Sequence, residues 1–103
     1  MSNHRLELHS KLCELLGTND VFFQPPENLK IPNRAIIYQL TDTVQRKADN
    51  KLYNKVDRYQ VLFITPNPDD RLWETMLEEF EIANFERHYK YENLNYYSIS
   101  IYY

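Results

Sequence analysis

The apolar positions of this chain change their period several times, and each change marks an element. Leu8, Leu12, Leu15 and Leu16 recur at i, i+4, i+7 and i+8, which is one face of a helix over residues 2–16. Ser2 is placed to accept from an unpaired N–H at the start of that helix. Gly17 stands just past its end, where a left-handed residue closes a helix without a Cβ penalty. Val21, Phe22 and Phe23 read as a short strand, stopped by Pro25-Pro26, which lack the N–H groups a ladder needs. A loop follows over residues 27–33, held extended by Pro32.

The next segments alternate with period two. Ile36, Tyr38 and Leu40 share one side of a strand over residues 34–43, and Ala35, Ile37 and Gln39 the other. Tyr59, Val61 and Phe63 alternate with Leu62 and Ile64 in a partner strand over residues 54–65. Both strands are apolar on two sides, which predicts central strands covered on two faces. Residues 44–53 between them are polar, predicting a long connecting loop of the kind that carries function. After Thr65-Pro66-Asn67-Pro68, Asp69 or Asp70 caps a second helix running to about Glu81. Its Leu72, Trp73, Met76, Leu77 and Phe80 form one apolar face, while Glu74, Glu78, Glu79 and Glu81 point away. Phe85, Arg87, Tyr89 and Tyr91 then alternate with Glu86, His88 and Lys90. After a turn at residues 92–95, Tyr97, Ile99, Ile101 and Tyr103 alternate with Tyr96, Ser98, Ser100 and Tyr102. The order α-β-β-β-α-β-β predicts an α+β fold: a mostly antiparallel sheet with two helices packed against it, in one domain over residues 1–103.

Composition narrows the chemistry. One glycine in 103 residues cannot form a glycine-rich phosphate loop or a dinucleotide fingerprint. One cysteine forms neither an internal disulfide nor a thiolate zinc cluster. The apolar runs fall short of a membrane span, and the charged start lacks a signal-peptide core, so the expectation is a soluble protein made in a reducing cytoplasm, with no membrane partner. Nine tyrosines and five phenylalanines supply enough large apolar surface for a core.

No catalytic constellation emerges. His4 and His9 are five residues apart, the wrong spacing for one helix face, and His88 stands alone. Cys13 reads as a small packed hydrophobe without a positioned base. Asp69 and Asp70 complement a helix dipole, and Glu78, Glu79 and Glu81 read as a solvated helix face rather than a metal or acid–base site. The expectation is therefore a non-enzyme without cofactor or metal. Arg87, Tyr89 and Tyr91 could form a base-stacking surface, but the net charge of −3 opposes phosphate affinity.

Charge distribution changes the picture most. Residues 42–58 carry five basic and three acidic side chains, a local +2. Residues 69–86 carry seven acids against Arg71 alone, a local −6. Rings are built by heterologous contacts, in which two different surfaces of one subunit complement each other. On that reasoning Arg46, Lys47, Asp49, Asn50, Lys51 and Tyr53 form one candidate contact surface, and Glu74, Glu78 and Glu81 the other.

Several stretches carry a family resemblance by their order: 23–26 (Phe-Gln-Pro-Pro), 31–38, 48–53 with Ala48-Asp49-Asn50, 58–69, and the ending through Asn93-Leu94-Asn95 and Tyr102-Tyr103. Together they cover most of the chain, which resembles the tail-terminator (tail-completion) proteins of tailed bacteriophages. The resemblance implies a structural virion protein at the head–tail junction, made in the host bacterial cytoplasm. Such proteins form a homo-oligomeric, typically hexameric ring on the last ring of the tail-tube protein. They end tube growth and dock the head–tail connector protein, and DNA passes through the lumen without specific binding. It also implies that the region around residues 48–50 reaches a neighbour or the tube. The alternatives are another neck or connector (head-completion) protein, and a single-strand nucleic-acid binding module built on Arg87, Tyr89 and Tyr91.

Overall fold

The computed structural model describes residues 4–48 and 51–103, and the side chains at position 4 and at 43–56 lie outside the description. The elements are α1 (His4–Leu16), β1 (Val21–Phe23), β2 (Ala35–Ala48), β3 (Lys51–Thr65), α2 (Leu72–Glu79), β4 (Ile82–Tyr91) and β5 (Leu94–Tyr102). They form the expected α+β fold, with two helices on a five-stranded sheet of order β1-β2-β3-β5-β4. Only the β1–β2 pairing is parallel.

The core occupies one face of that sheet. Cross-strand register aligns Ile36 with Phe63 and Tyr38 with Val61, then Val61 with Ile99 and Tyr59 with Ile101. Leu8, Leu12 and Leu16 of α1 and Met76 and Phe80 beside them pack on this face in one buried cluster. The leucine spacing seen in the sequence is thus the stripe that docks α1. Gly17 closes α1 as expected: its φ is +84° and its N–H donates to the Cys13 carbonyl at 2.9 Å. The Ser2 cap lies outside the described residues.

The expectation of two covered faces is not met. Both helices belong to the same buried cluster, so among the described residues no second layer faces Ile37, Gln39, Gln60 and Leu62. Two-sided apolar patterning marks where a cover is favourable, but two helices suffice for one face only. On the uncovered side Gln39 is exposed, and Ile37 and Leu62 are half-buried as cross-strand partners.

A polar strap joins the elements at one end. Arg34 donates from Nε to Asp70 Oδ2 at 2.8 Å and from Nη1 to the Leu16 carbonyl at 2.8 Å. Thr65, fully buried at the end of β3, donates to the same Asp70 oxygen at 3.1 Å. Asp70 is therefore a strut rather than the predicted helix cap. The N-cap position of α2 is Arg71, which makes no side-chain capping bond, although Asp70 Oδ1 also accepts from the Leu72 N–H at 3.4 Å. Burial alone would raise the Asp70 carboxyl, but the Arg34, Thr65 and Leu72 donors outweigh it and hold it below its usual range.

A second buried contact ties α1 to β2. The Tyr38 hydroxyl lies 2.7 Å from His9 Nδ1 and accepts from Arg5 Nη1 at 3.3 Å. A hydroxyl has one proton and two acceptor lone pairs, so it accepts from Arg5 and can donate to His9 when Nδ1 carries no proton. Burial, then the nearby Arg5 charge, pushes the His9 imidazole down. Burial raises the Tyr38 hydroxyl against the opposing pull of Arg5, so it stays a neutral donor.

Two measurements test these ties. Asp70→Ala leaves Arg34 and Thr65 without their acceptor, and urea denaturation should show a loss of about 1–2 kcal/mol, reduced by the partial exposure of Arg34. His9 has a depressed folded value, so its contribution is complete above pH 6.5 and is lost as pH falls through the lower folded value. Thermal melts between pH 7 and 5 should fall for the parent chain and fall less steeply for His9→Gln.

Candidate interaction surfaces

The expected loop at residues 44–53 is corrected by the structure. β2 runs on to Ala48 and β3 begins at Lys51, with Val44 paired to Val56 and Arg46 to Asn54. Arg46 and Lys47 therefore sit in β2, and Lys51 and Tyr53 in β3, while Asp49 and Asn50 lie outside the described residues. Polar composition hid the strands, because residues 44–53 lack the period-two alternation by which a strand is read.

Sheet topology makes this ribbon a projection. β1 accompanies β2 only as far as Tyr38, and β5 accompanies β3 only as far as the Asp57–Tyr103 backbone exchange. Beyond these points each strand has the other as its neighbour in the sheet order. Six residues of strand add about 20 Å to the body. The molecule accordingly measures 51 × 25 × 22 Å. A two-stranded ribbon is marginal alone in water, so a free one of this length is suited to a partner.

The acidic candidates are divided by the structure. Glu74 is half-buried and takes an ion pair from Arg71 one turn away, a contact that holds its carboxyl below the usual range. Glu78 is exposed near the end of α2, and Glu81 is exposed beyond it, since the helix stops at Glu79 rather than Glu81. Glu78 and Glu81 are thus the better placed for a second molecule.

β4 departs from the alternation read in its sequence. A bulge between Phe85 and Arg87 shifts the register, so Phe85 pairs with Ile99 and Arg87 with Ser98. Phe85 consequently faces the helix side, where its ring meets Trp73 at 5.1 Å, while Arg87 and Tyr89 turn to the uncovered face. Glu86 in the bulge turns to the uncovered face as well. It accepts from Gln60 Nε2 and Ser98 Oγ, both at 3.2 Å, and lies 3.7 Å from Arg58 Nη2. Gln60 also donates to Ser98 Oγ at 2.9 Å. This network fixes the bulge, and nothing in the residue order announced it.

The uncovered face holds a groove of about 370 Å³. Its floor is Ile37, Gln39, Gln60, Leu62 and Ser98, with Gln24 and Pro25 on one wall and Arg87 and Tyr89 on the other. Gln24 reaches the wall because it turns the chain out of β1 with a φ of +45° and lends its side-chain oxygen to the Leu40 N–H. The lining is rich in amides and hydroxyls, carries one charged side chain, Arg87, and has no nucleophile–base pair. The Arg87 guanidinium lies 5.0 Å from the Tyr89 ring centre, and Tyr89 stacks on Tyr96 at 5.0 Å. Tyr89 is therefore already engaged by two neighbours, which leaves Tyr91, 61% exposed, as the freer ring for stacking a base.

The remaining candidates have structural surroundings. His88 stacks on Tyr97 at 4.5 Å and lies 3.1 Å from Asn95 Oδ1. Cys13 packs beside the core, and burial pushes its thiol up. Among the described residues no three His, Cys, Asp or Glu side chains are grouped to hold a metal ion, and no helix is long and apolar enough to cross a membrane. No protein-family model matches the chain, and no curated protein matches it.

The bulge network is open to direct test. Glu86→Ala strips Arg58, Gln60 and Ser98 of a shared acceptor, and the expected cost is about 1 kcal/mol. A double-mutant cycle with Ser98→Ala should give a coupling energy clearly different from zero, whereas simple additivity would show that the residues act independently.

Proposed function

We propose that this chain is a structural subunit of a homo-oligomeric ring at the head–tail junction of a tailed bacteriophage. In that role it ends growth of the tail tube and joins the tail to the head connector. The observation that carries the reading is the projecting β2–β3 ribbon, a basic arm on a compact body whose acidic residues cluster elsewhere. An arm and a distant acidic surface on one subunit form a heterologous pair, the contact type that closes rings. The uncovered sheet face and exposed tyrosines add apolar and hydroxyl-bearing area of the kind interfaces favour. The tail-terminator resemblance supplies the biological setting, with a hexamer as the expected order and DNA passing through the lumen unbound. A net charge of −3 suits a lumen that must not grip phosphate.

Electron microscopy and native mass spectrometry of the purified chain test the assembly. Six subunits support a terminator, twelve support a connector, and a monomer at every concentration removes the ring. In a phage that encodes the chain, its deletion should give overlong tails; normal tails that fail to join heads would favour a neck role instead. Arg46→Glu with Lys47→Glu should weaken self-association about tenfold or more, because like charges then face each other. Adding Glu78→Lys and Glu81→Lys should restore part of the loss. Unchanged assembly after the first reversal would sink the charge pairing.

A further inference from the structure

The two edges of the sheet are finished differently. β1 is three residues long and is closed by Pro25-Pro26, a protected edge. β4 is the terminal strand on the other side, ten residues long, and only Ala83 along it is even half-buried. Among the described residues seven large apolar side chains are exposed, and four lie on β4: Ile82 at 45%, Phe85 at 42%, Tyr89 at 37% and Tyr91 at 61%. Edge strands are usually blunted by outward charges. The bulge and the charges of β4 lie at Glu86, Arg87 and Lys90, with Glu86 turned to Arg58, Gln60 and Ser98, so Ile82 to Phe85 is the uncharged stretch of this edge.

The ribbon offers a matching row of backbone groups. Over residues 43–48, β2 has β3 on one side and, among the described residues, no second strand on the other. Such a row accepts another strand through main-chain hydrogen bonds. Charge sets the direction of approach. The Ile82 end of β4 is flanked by Glu78, Glu79, Glu81 and Glu86, whereas Arg46 and Lys47 lie near the tip of the ribbon. Antiparallel addition brings that tip to the acidic end.

We propose that residues 43–48 of β2 in one copy of this chain add antiparallel to β4 of the next copy, so that neighbouring subunits share one continuous sheet. The proposal rests on the ring reading above and specifies its contact. β2 and β4 present different surfaces, so each copy gives one edge and receives another, and the contact repeats until the ring closes. The exposed Ile82 and Phe85 side chains then gain cross-strand neighbours.

Hydrogen exchange of the full chain, followed by mass spectrometry above and below its association midpoint, tests this. Assembly should slow alternate amides in 82–87 and in 43–48 at least about tenfold, because outward N–H groups become bonded. Ile82→Lys with Asn84→Lys blunts the β4 edge at two exposed positions inside the paired stretch. That variant should melt as the parent monomer does and fail to assemble. Assembly with unchanged exchange in both segments overturns strand addition and leaves the ring standing, as does a lysine variant that assembles normally. A chain that stays monomeric at every concentration overturns both.

Discussion

Burial of a single sheet face is the constraint on which the rest of this molecule depends. Ile36, Tyr38, Tyr59, Val61, Phe63, Ile99 and Ile101 come into register from three strands and form one apolar surface. Each such side chain contributes about 1.5–3 kcal/mol when fully buried, far more than any surface pair in the structure. α1 and the Met76–Phe80 region are held to the sheet by that surface. With both helices used on one side, the opposite side must stay open. The groove, the amide-rich floor and the exposed β4 tyrosines follow from this unequal coverage.

Polar contacts decide where the layers sit rather than whether they form. Arg34 joins the last carbonyl of α1 to Asp70 ahead of α2, and Thr65 brings the end of β3 to the same oxygen. His9 and Arg5 meet the Tyr38 hydroxyl beneath α1, where an unbonded hydroxyl would be costly. Glu86 fixes the bulge that turns Arg87 and Tyr89 onto the uncovered face. Each of these contacts satisfies a group whose burial the apolar packing imposes.

The turns show how local chemistry and global packing cooperate. Glu92 and Asn93 adopt φ values of +48° and +66°, a two-residue turn whose twist matches the flanking strands. Asparagine tolerates that region well and glutamate less so, which is why the residues suggested a turn but not its tight form. Leu94 and Asn95, read as part of the turn, belong to β5 instead. Buried Asn95 reaches the Thr65 carbonyl at 3.4 Å, linking the β4–β5 hairpin to the end of β3.

Period and punctuation determined the elements by themselves. The leucines of α1, the stop at Gly17, the apolar face of Leu72 to Phe80 and the alternation through Ile101 are local patterns, and the structure keeps them. The charge contrast between residues 42–58 and 69–86 was equally legible, being a property of the order of residues alone. Tertiary structure decided three things that no local pattern encodes. It extended the β2–β3 hairpin into a ribbon, because backbone pairing continues where the side-chain pattern carries no period-two signal. It assigned Asp70 to Arg34, because a partner 36 residues away competes with the helix end for that carboxylate. It left one face of the sheet and one of its edges uncovered, because coverage depends on how many layers the chain can build, and this chain builds two.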